Sequence, residues 1–239
     1  MVSVILPTYN EKENIEKLVK EILSVYNQNS ISGNIIIVDD NSPDGTGKIA
    51  ENLAVKFPYQ VLYLSRPGKM GLGSAYILGF KKALELGSDY IFEMDADFSH
   101  LPTDIPKFLD KAKNYDLILG SRYIKGGNIE NWNMKRKLIS RGGTFYAQTI
   151  LGIPINDLTS GFKCFRREVL EKVDLDNIRS DGYSFQIELT YKALNSGFKI
   201  KEVPITFSER KLGTSKFSKN IFWEAVFLVW KLRLEKHKN

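Results

Sequence analysis

The chain has a single cysteine, Cys164, among 239 residues, so no intrachain disulfide can form. This suits a reducing compartment. Within Gly161-Phe162-Lys163-Cys164-Phe165-Arg166 the thiol reads as a small buried strand residue rather than a nucleophile. No apolar run approaches the about 20 residues that a membrane span needs. The N-terminus enters a strand-like run at Val2 without a signal-peptide pattern. No internal repeat, low-complexity tract or obvious linker interrupts the sequence, which suggests one domain over residues 1–239. Two nucleotide motifs are also missing. Leu6-Pro7-Thr8-Tyr9-Asn10 lacks the glycines of a dinucleotide fingerprint, and neither Gly47-Lys48-Ile49 nor Gly68-Lys69-Met70 has the Ser or Thr of a P-loop.

What is present is ordinary globular material, 43% hydrophobic and 26% charged, with a net charge of +6 that favours anionic partners. The first half alternates strand and helix signals. Val2–Leu6, Ile35–Val38, Val61–Leu64, Tyr90–Met94 and Leu117–Gly120 are short apolar runs of the buried-strand type. Helices are predicted between them: one carrying Ile15, Leu18, Val19 and Ile22 behind an Asn10–Glu13 cap, one over Thr46–Lys56, and one after the glycine-rich turn Gly68–Gly73. In the second half the pattern predicts helices over Arg136–Leu151, Phe185–Asn195 and about 218–235, and strands over Gly161–Arg166 and Ile200–Phe207. Such alternation implies an α/β fold with a mostly parallel central sheet flanked by helices. Ligands on such sheets bind beyond the carboxyl ends of the strands.

Two acidic clusters fall at those ends. Asp95-Ala96-Asp97 follows Ile91-Phe92-Glu93-Met94, and two carboxylates one residue apart at a turning strand end can converge on a hard cation such as Mg²⁺ or Mn²⁺. His100 is nearby, and a hydrogen bond to the acidic loop is expected of it rather than a metal bond, since hard cations prefer oxygen. Asp39-Asp40 closes another strand and can accept hydrogen bonds from a ribose or a base, whereas Asp44-Gly45 reads as a turn or cap. Three basic elements follow: Gly120-Ser121-Arg122 at a strand end, Arg136 and Ser140 on one helix face, and Arg210 and Lys216 around Gly213-Thr214-Ser215. Together with the acidic ends they suggest a clamp for several phosphates. The basic charge also permits a nucleic-acid binding module, but no recognition motif is present and no nucleic-acid partner is expected.

Pro7-Thr8-Tyr9-Asn10-Glu11, Val38-Asp39-Asp40-Asn41-Ser42-Pro43-Asp44-Gly45-Thr46 and Asp95-Ala96-Asp97 resemble the inverting family 2 glycosyltransferases of GT-A fold. Gly120-Ser121-Arg122-Tyr123, Asn131-Trp132, Arg136–Ser140, Ser160-Gly161-Phe162, Val203-Pro204-Ile205 and Arg210 through Lys216 narrow the resemblance to the catalytic domain of the dolichol-phosphate (polyprenol monophospho-) mannose synthases. The similarity covers nearly the whole chain. It implies GDP-mannose as donor and a polyprenyl (dolichyl) phosphate as acceptor, with transfer by inversion. A related transferase using UDP-glucose or another sugar nucleotide would carry similar diphosphate motifs. By match, Pro7, Tyr9, Glu11, Val38 and Asp40 hold the nucleoside. Asp95 and Asp97 hold metal and diphosphate with Ala96 lining the site, and Arg210 and Lys216 cover the donor phosphates. Arg122, Arg136 and Ser140 meet the acceptor phosphate, which makes Asp97, Arg122 and Arg136 the catalytic set. Some family members have Gln where this chain has Ser99, and a Ser is a shorter, weaker metal ligand whose place a water could fill. The missing signal-peptide pattern and the lack of a spanning run suggest a cytosolic location, or a peripheral one on the cytosolic face of a membrane, and a small membrane-anchoring subunit is a further candidate partner. The C-terminal helix, with Phe222, Trp223, Phe227 and Trp230 before Lys231, Arg233, Lys236 and Lys238, suits either a lipid interface or the domain core.

Overall fold

The computed structural model describes residues 1–132, 134–178, 180–208 and 219–235. Its first half is a run of strand–helix units: β1 Val2–Thr8, α1 Ile15–Gln28, β2 Gly33–Asp39, α2 Thr46–Lys56, β3 Val61–Ser65, α3 Leu72–Glu85 and β4 Tyr90–Glu93. Then come α4 Ile105–Ala112, β5 Leu117–Ser121, β6 Asn128–Ile129, α5 Met134–Leu151, β7 Lys163–Arg166 and α6 Arg167–Lys172. The chain continues through α7 Gly182–Asn195, β8 Ile200–Pro204 and β9 Thr206–Phe207 to α8 Lys219–Glu235.

Seven strands form one sheet in the order β3-β2-β1-β4-β7-β5-β8. All neighbours are parallel except β7, which runs antiparallel to both β4 and β5. The strands alternate between two cores. On β1, Val4 and Leu6 join the side covered by α1, α2 and α4, whereas Ile5 joins the side covered by α3, α6 and α7. Burial on both faces explains why the strands read as continuous apolar runs. On the second side α3 presses directly on β1. A Cβ added at Gly79 would lie 2.3 Å from Ile5 Cγ2, so only glycine fits that crossing.

A third core lies beyond β5, where Ala147 and Leu151 of α5, Ile187 and Tyr191 of α7 and Val229 and Leu232 of α8 meet. The C-terminal helix thus covers the domain on one face, while Phe227, Trp230 and Leu234 are exposed on another. Among the described residues no helix is long and apolar enough to cross a membrane.

Three sequence expectations change. Asn10 does not cap α1: it sits in the left-handed region (φ 64°) and its N–H donates to Ser42 Oγ, while Glu11 O accepts from Asn14 and Ile15 and starts the helix later. The Ile200–Phe207 run is two strands, because the chain leaves β5 after Pro204 and Thr206–Phe207 pairs with β6 instead. The sequence reading contains no helix at Ile105–Ala112, a segment that begins with a proline-led 3-10 turn at Pro102–Asp104. Cys164 is buried in β7 as expected, and burial pushes its thiol well above the usual pKa range.

Candidate active site

The carboxyl ends of β1, β2, β4 and β5 open on one rim of the sheet. At β2 the two acidic residues divide the work. Asp39 organises the loop, with Oδ1 accepting from Thr8 Oγ1 at 2.8 Å and from Ser42 Oγ at 2.6 Å. Its Oδ2 accepts from Ser42 N at 2.9 Å. Asp40 turns the other way and accepts from Arg66 Nε at 2.5 Å and Met70 N at 3.0 Å. Arg66 also donates to Ser74 Oγ and Gly71 O, so this buried ion pair ties the glycine-rich turn to the Asp40 strand end. Gly71 (φ 98°) needs its left-handed conformation there, and a Cβ would meet Asp181 Oδ2 at 2.8 Å. Asp44 fills the cap role read from the sequence: it accepts from Thr46 N and Oγ1 and from Lys12 N. Burial would raise its pKa, but those bonds outweigh it and hold the carboxyl below its ordinary value.

Tyr9 follows β1, with the Lys69 ammonium 5.1 Å from its ring centroid. Pro7 is half-buried and Val38 fully buried in the adjacent strand ends, and Glu11 Oε2 accepts from Asn14 Nδ2. The structure therefore brings Pro7, Tyr9, Glu11, Val38 and Asp40 to one corner of the rim.

The acidic loop after β4 is tightly folded. Phe98 takes a left-handed φ of 61°, costly for a bulky residue, and this turns the chain so that Ser99 N donates to Asp97 Oδ1 at 3.0 Å. Tyr76 Oη donates to Asp95 Oδ1 at 3.2 Å, and Ala96 is buried between the two acids. His100 Nδ1 accepts the Asp95 N–H at 3.2 Å, so that nitrogen is committed to the loop and cannot coordinate a cation. Its ring stacks on Phe162 at 5.0 Å, and burial lowers its pKa, which keeps the imidazole neutral. Ser99 Oγ is buried with no hydrogen-bond partner among the described residues. Two carboxylates beside an orphaned hydroxyl suit an oxygen-preferring divalent cation with bound water. Among the described residues no third His, Cys, Asp or Glu joins them, so phosphate and water would complete any coordination shell.

Beneath Asp95 lies a buried pair that sequence reading missed. Glu93 faces Lys163 across the β4–β7 ladder at 3.6 Å, and Lys163 Nζ also donates to Gln186 O at 3.1 Å. Burial pushes the Glu93 carboxyl up to about 7 despite the ammonium, and burial likewise lowers Lys163.

Arg122 follows β5 and is buried. Its Nε and Nη2 donate to the two Asp157 oxygens, each at 2.7 Å, and Nη2 also donates to Thr159 Oγ1 at 2.8 Å. Burial would disfavour its charge, but Asp157 outweighs that and the guanidinium stays cationic. Asp157 was not legible as a partner, although a buried Arg demands one. Tyr123, Trp132 and Phe207 rings lie 5.3, 5.5 and 5.3 Å from the Arg122 guanidinium carbon. The Arg136 guanidinium lies 4.1 Å over the Trp132 ring, and Ser140 Oγ accepts from Tyr123 Oη at 2.7 Å. Phe207 links the two halves of the rim, since its ring is also 5.8 Å from His100. Beside Arg122 opens a cavity of about 310 Å³, lined among others by Ile129, Met134, Lys137, Leu138 and Arg141. Arg141 was not singled out by the sequence, and Lys137 stood there only inside the Arg136–Ser140 motif, without a role. Arg210 and Lys216 lie outside the described residues.

The sequence profile described as "Glycosyl transferase family 2" matches residues 3–174. The chain belongs to glycosyl transferase family 2. This glycosyltransferase is 46% identical over 233 residues to a polyprenol monophosphomannose synthase of Mycolicibacterium smegmatis, covering 96% of this chain and 86% of the relative. It is 43% identical over 228 residues to an undecaprenyl-phosphate mannosyltransferase of Micrococcus luteus, covering 95% and 92%. Among solved structures it resembles glucosyl-3-phosphoglycerate synthase from Mycobacterium tuberculosis in complex with Mn²⁺, uridine diphosphate and glucosyl-3-phosphoglycerate, with a TM-score of 0.68 at 18% identity over 97% of this chain and 79% of that one. Mannosyl-3-phosphoglycerate synthase from Rubrobacter xylanophilus gives a TM-score of 0.66 at 16% identity over 100% and 74%. At such identities the likeness concerns the fold, which is of the GT-A type.

Proposed function

We propose that this glycosyltransferase moves mannose from GDP-mannose to a polyprenyl phosphate, giving a polyprenyl-phosphate β-mannose. The observation that carries this reading is the pairing of two sites on one rim. A diacid loop suited to a divalent cation and diphosphate is joined through Phe207 to a basic, apolar-edged cavity suited to a lipid phosphate. The names of the two curated relatives point to the same acceptor class.

In this reading Pro7, Tyr9, Glu11, Val38 and Asp40 receive the nucleoside. Asp40 already serves Arg66 and Met70, but an ionised carboxylate has further lone pairs for a ligand. Asp95 and Asp97 would hold Mg²⁺ or Mn²⁺ and the diphosphate, with the Ser99 hydroxyl beside them. When bound, the cation neutralises the charge that gathers on the departing diphosphate. Arg122, Arg136 and Ser140 meet the acceptor phosphate. The Nε and Nη2 bonds of Arg122 to Asp157 fix its plane and leave the Nη1 protons for an anion. A phosphate monoester, with a second pKa of about 6, is already anionic near neutral pH and needs no strong general base. Neutral His100 is consistent with that economy. The chain's task is to align phosphate oxygen, anomeric carbon and leaving oxygen, and in-line attack inverts the sugar. Peripheral attachment at the cytosolic face of a membrane, through the exposed face of α8, completes the reading.

The test is a transfer assay with radiolabelled GDP-mannose and a short polyprenyl phosphate, with Mg²⁺ or Mn²⁺ and with chelator. Labelled lipid that disappears on chelation supports the reading. Labelled lipid from UDP-glucose but not from GDP-mannose would replace the donor, and none from any sugar nucleotide would remove the acceptor.

A further inference from the structure

Helix α3 reaches both ends of the donor rim from its first turns. At one end Ser74 Oγ accepts from Arg66 Nη1 at 2.6 Å, and Arg66 is the buried partner of Asp40. At the other end Tyr76 Oη donates to Asp95 Oδ1 at 3.2 Å. The helix itself is fixed in place. Its Gly73 N–H donates to Asp181 Oδ1 at 2.8 Å, and Gly79 packs directly on Ile5 of β1. Tyr76 is wholly buried, and its ring stacks on Phe80 and on Phe185, with centroids 6.0 Å away in each case. Phe165 meets Phe80 edge-on at 5.6 Å in the same cluster. A phenylalanine would fill such a site, so packing alone does not require the hydroxyl. A buried hydroxyl is costly unless it is bonded, and the partner this one finds is an acid of the candidate metal loop.

Asp95 is held on other sides too. Its backbone N–H donates to His100 Nδ1, and a Cβ added at Gly161 would lie 3.6 Å from both carboxylate oxygens. The Gly161 backbone thus walls the carboxylate, while Tyr76 grips it at one oxygen. An ionised carboxylate offers about four lone-pair sites, so the bond to Tyr76 leaves room for a cation. Asp97 differs, since its Oδ1 accepts from Ser99 N within the same loop.

We propose that Tyr76 is a positioning residue: its hydroxyl fixes the Asp95 carboxylate for the divalent cation, and α3 thereby sets that carboxylate in register with the Asp40 corner. The inference deepens the reading in which Asp95 holds the cation, and rests on it. Being wholly buried, Tyr76 acts through Asp95 and reaches no substrate itself. Groups that hydrogen-bond a metal ligand from behind orient it, and their loss typically lowers metal affinity by about 10- to 100-fold.

The experiment compares the full wild-type chain with Tyr76→Phe and Tyr26→Phe. Tyr76→Phe keeps the ring and its stacking, and a cooperative thermal melt checks that it folds. Tyr26 is the matched control: it is also buried, and its hydroxyl donates to Asn34 O at 3.2 Å, at the end of β2 opposite Asp40. Mn²⁺ binding is followed by the EPR signal of the free aquo ion, with GDP or UDP present and the nucleotide's own uptake of the ion subtracted. Transfer is then measured as a function of Mn²⁺. Tyr76→Phe is expected to weaken Mn²⁺ binding about tenfold and to raise the Mn²⁺ needed for half-maximal transfer by about tenfold, with kcat within about twofold of wild type at saturating Mn²⁺. Tyr26→Phe should melt earlier, since it too loses a buried hydrogen bond, yet bind Mn²⁺ as wild type does. Equal Mn²⁺ affinity in wild type and Tyr76→Phe would overturn the proposal, as would a transfer deficit that excess Mn²⁺ does not restore. Equal weakening in both variants would overturn it as well, because that marks a general loosening of the fold. Asp95→Asn separates this role from the reading beneath it. Mn²⁺ affinity lowered by Asp95→Asn but not by Tyr76→Phe removes only the positioning role. Mn²⁺ affinity unchanged in Asp95→Asn removes the metal role of Asp95, and the positioning role with it.

Discussion

Asp157 holds Arg122 at two levels: one carboxylate oxygen accepts both the Arg122 backbone N–H at 2.9 Å and Nε at 2.7 Å, and the other takes Nη2. The pair is buried, so removing either partner strands the other. Asp157→Asn is expected to lower unfolding free energy by about 3 kcal/mol, measured by denaturant titration. Arg122→Ala should reduce turnover by about 10²-fold or more with little change in donor affinity, measured by calorimetric GDP-mannose binding beside kinetics. Weakened donor binding with intact turnover would reverse the assignment.

The diacid loop predicts a different pattern. Asp95→Asn and Asp97→Asn are expected to lower transfer by about 10²–10³-fold. Chelation should abolish wild-type activity, and re-added Mn²⁺ or Mg²⁺ should restore it. Ser99→Ala, which removes only an orphaned hydroxyl, should cost less than tenfold. Full activity after exhaustive chelation would exclude the metal role.

Glu93 and Lys163 make a pH-dependent prediction. Lys163→Met leaves a buried carboxyl without its ammonium, a loss of about 3 kcal/mol when that carboxyl is charged. A carboxyl whose folded pKa is raised contributes stability at low pH and loses it as pH rises, here through a window from 4.5 to about 7. Without Lys163 the upper end of that window moves higher, while its lower end, set by the unfolded chain, stays. The variant should therefore be nearer to wild type at pH 5 than at pH 8 in thermal melts. An equal deficit at both values would argue that packing rather than charge dominates.

Cys164 should be inert. Burial raises its pKa and denies access to reagent, so native protein should react with a thiol probe at least 10²-fold more slowly than unfolded protein. Fast stoichiometric labelling without loss of structure would contradict this placement.

The parts of the site legible in the sequence were those carried by local pattern. Buried parallel strands leave unbroken runs such as Ile35–Val38, and the acids that end them stand out against apolar neighbours. Partners set by long-range pairing were not legible. Asp157 meets Arg122 across 35 positions, Arg66 meets Asp40 across 26, and Lys163 meets Glu93 only because β7 enters the sheet antiparallel. Lys163 reads as an ordinary polar residue until its register places it in the core. The split of the Ile200–Phe207 run was hidden for the same reason, since β6, the strand that captures Thr206–Phe207, is only two residues long.

The antiparallel β7 has a consequence for how this enzyme can vary. Every strand end assigned to the donor comes from residues before 100, and every acceptor group from residues after 120, with β7 hydrogen-bonded to both sets as a seam. In the proposed reading the strand-end residues for donor and acceptor thus lie on separate stretches of chain, apart from Arg210 and Lys216, which the resemblance gives to the donor phosphates. A crossover in the segment between the acidic loop and β5 would then test whether the strand-end set alone carries one preference, provided that α4 keeps its core contacts and the β7 register travels with its partners.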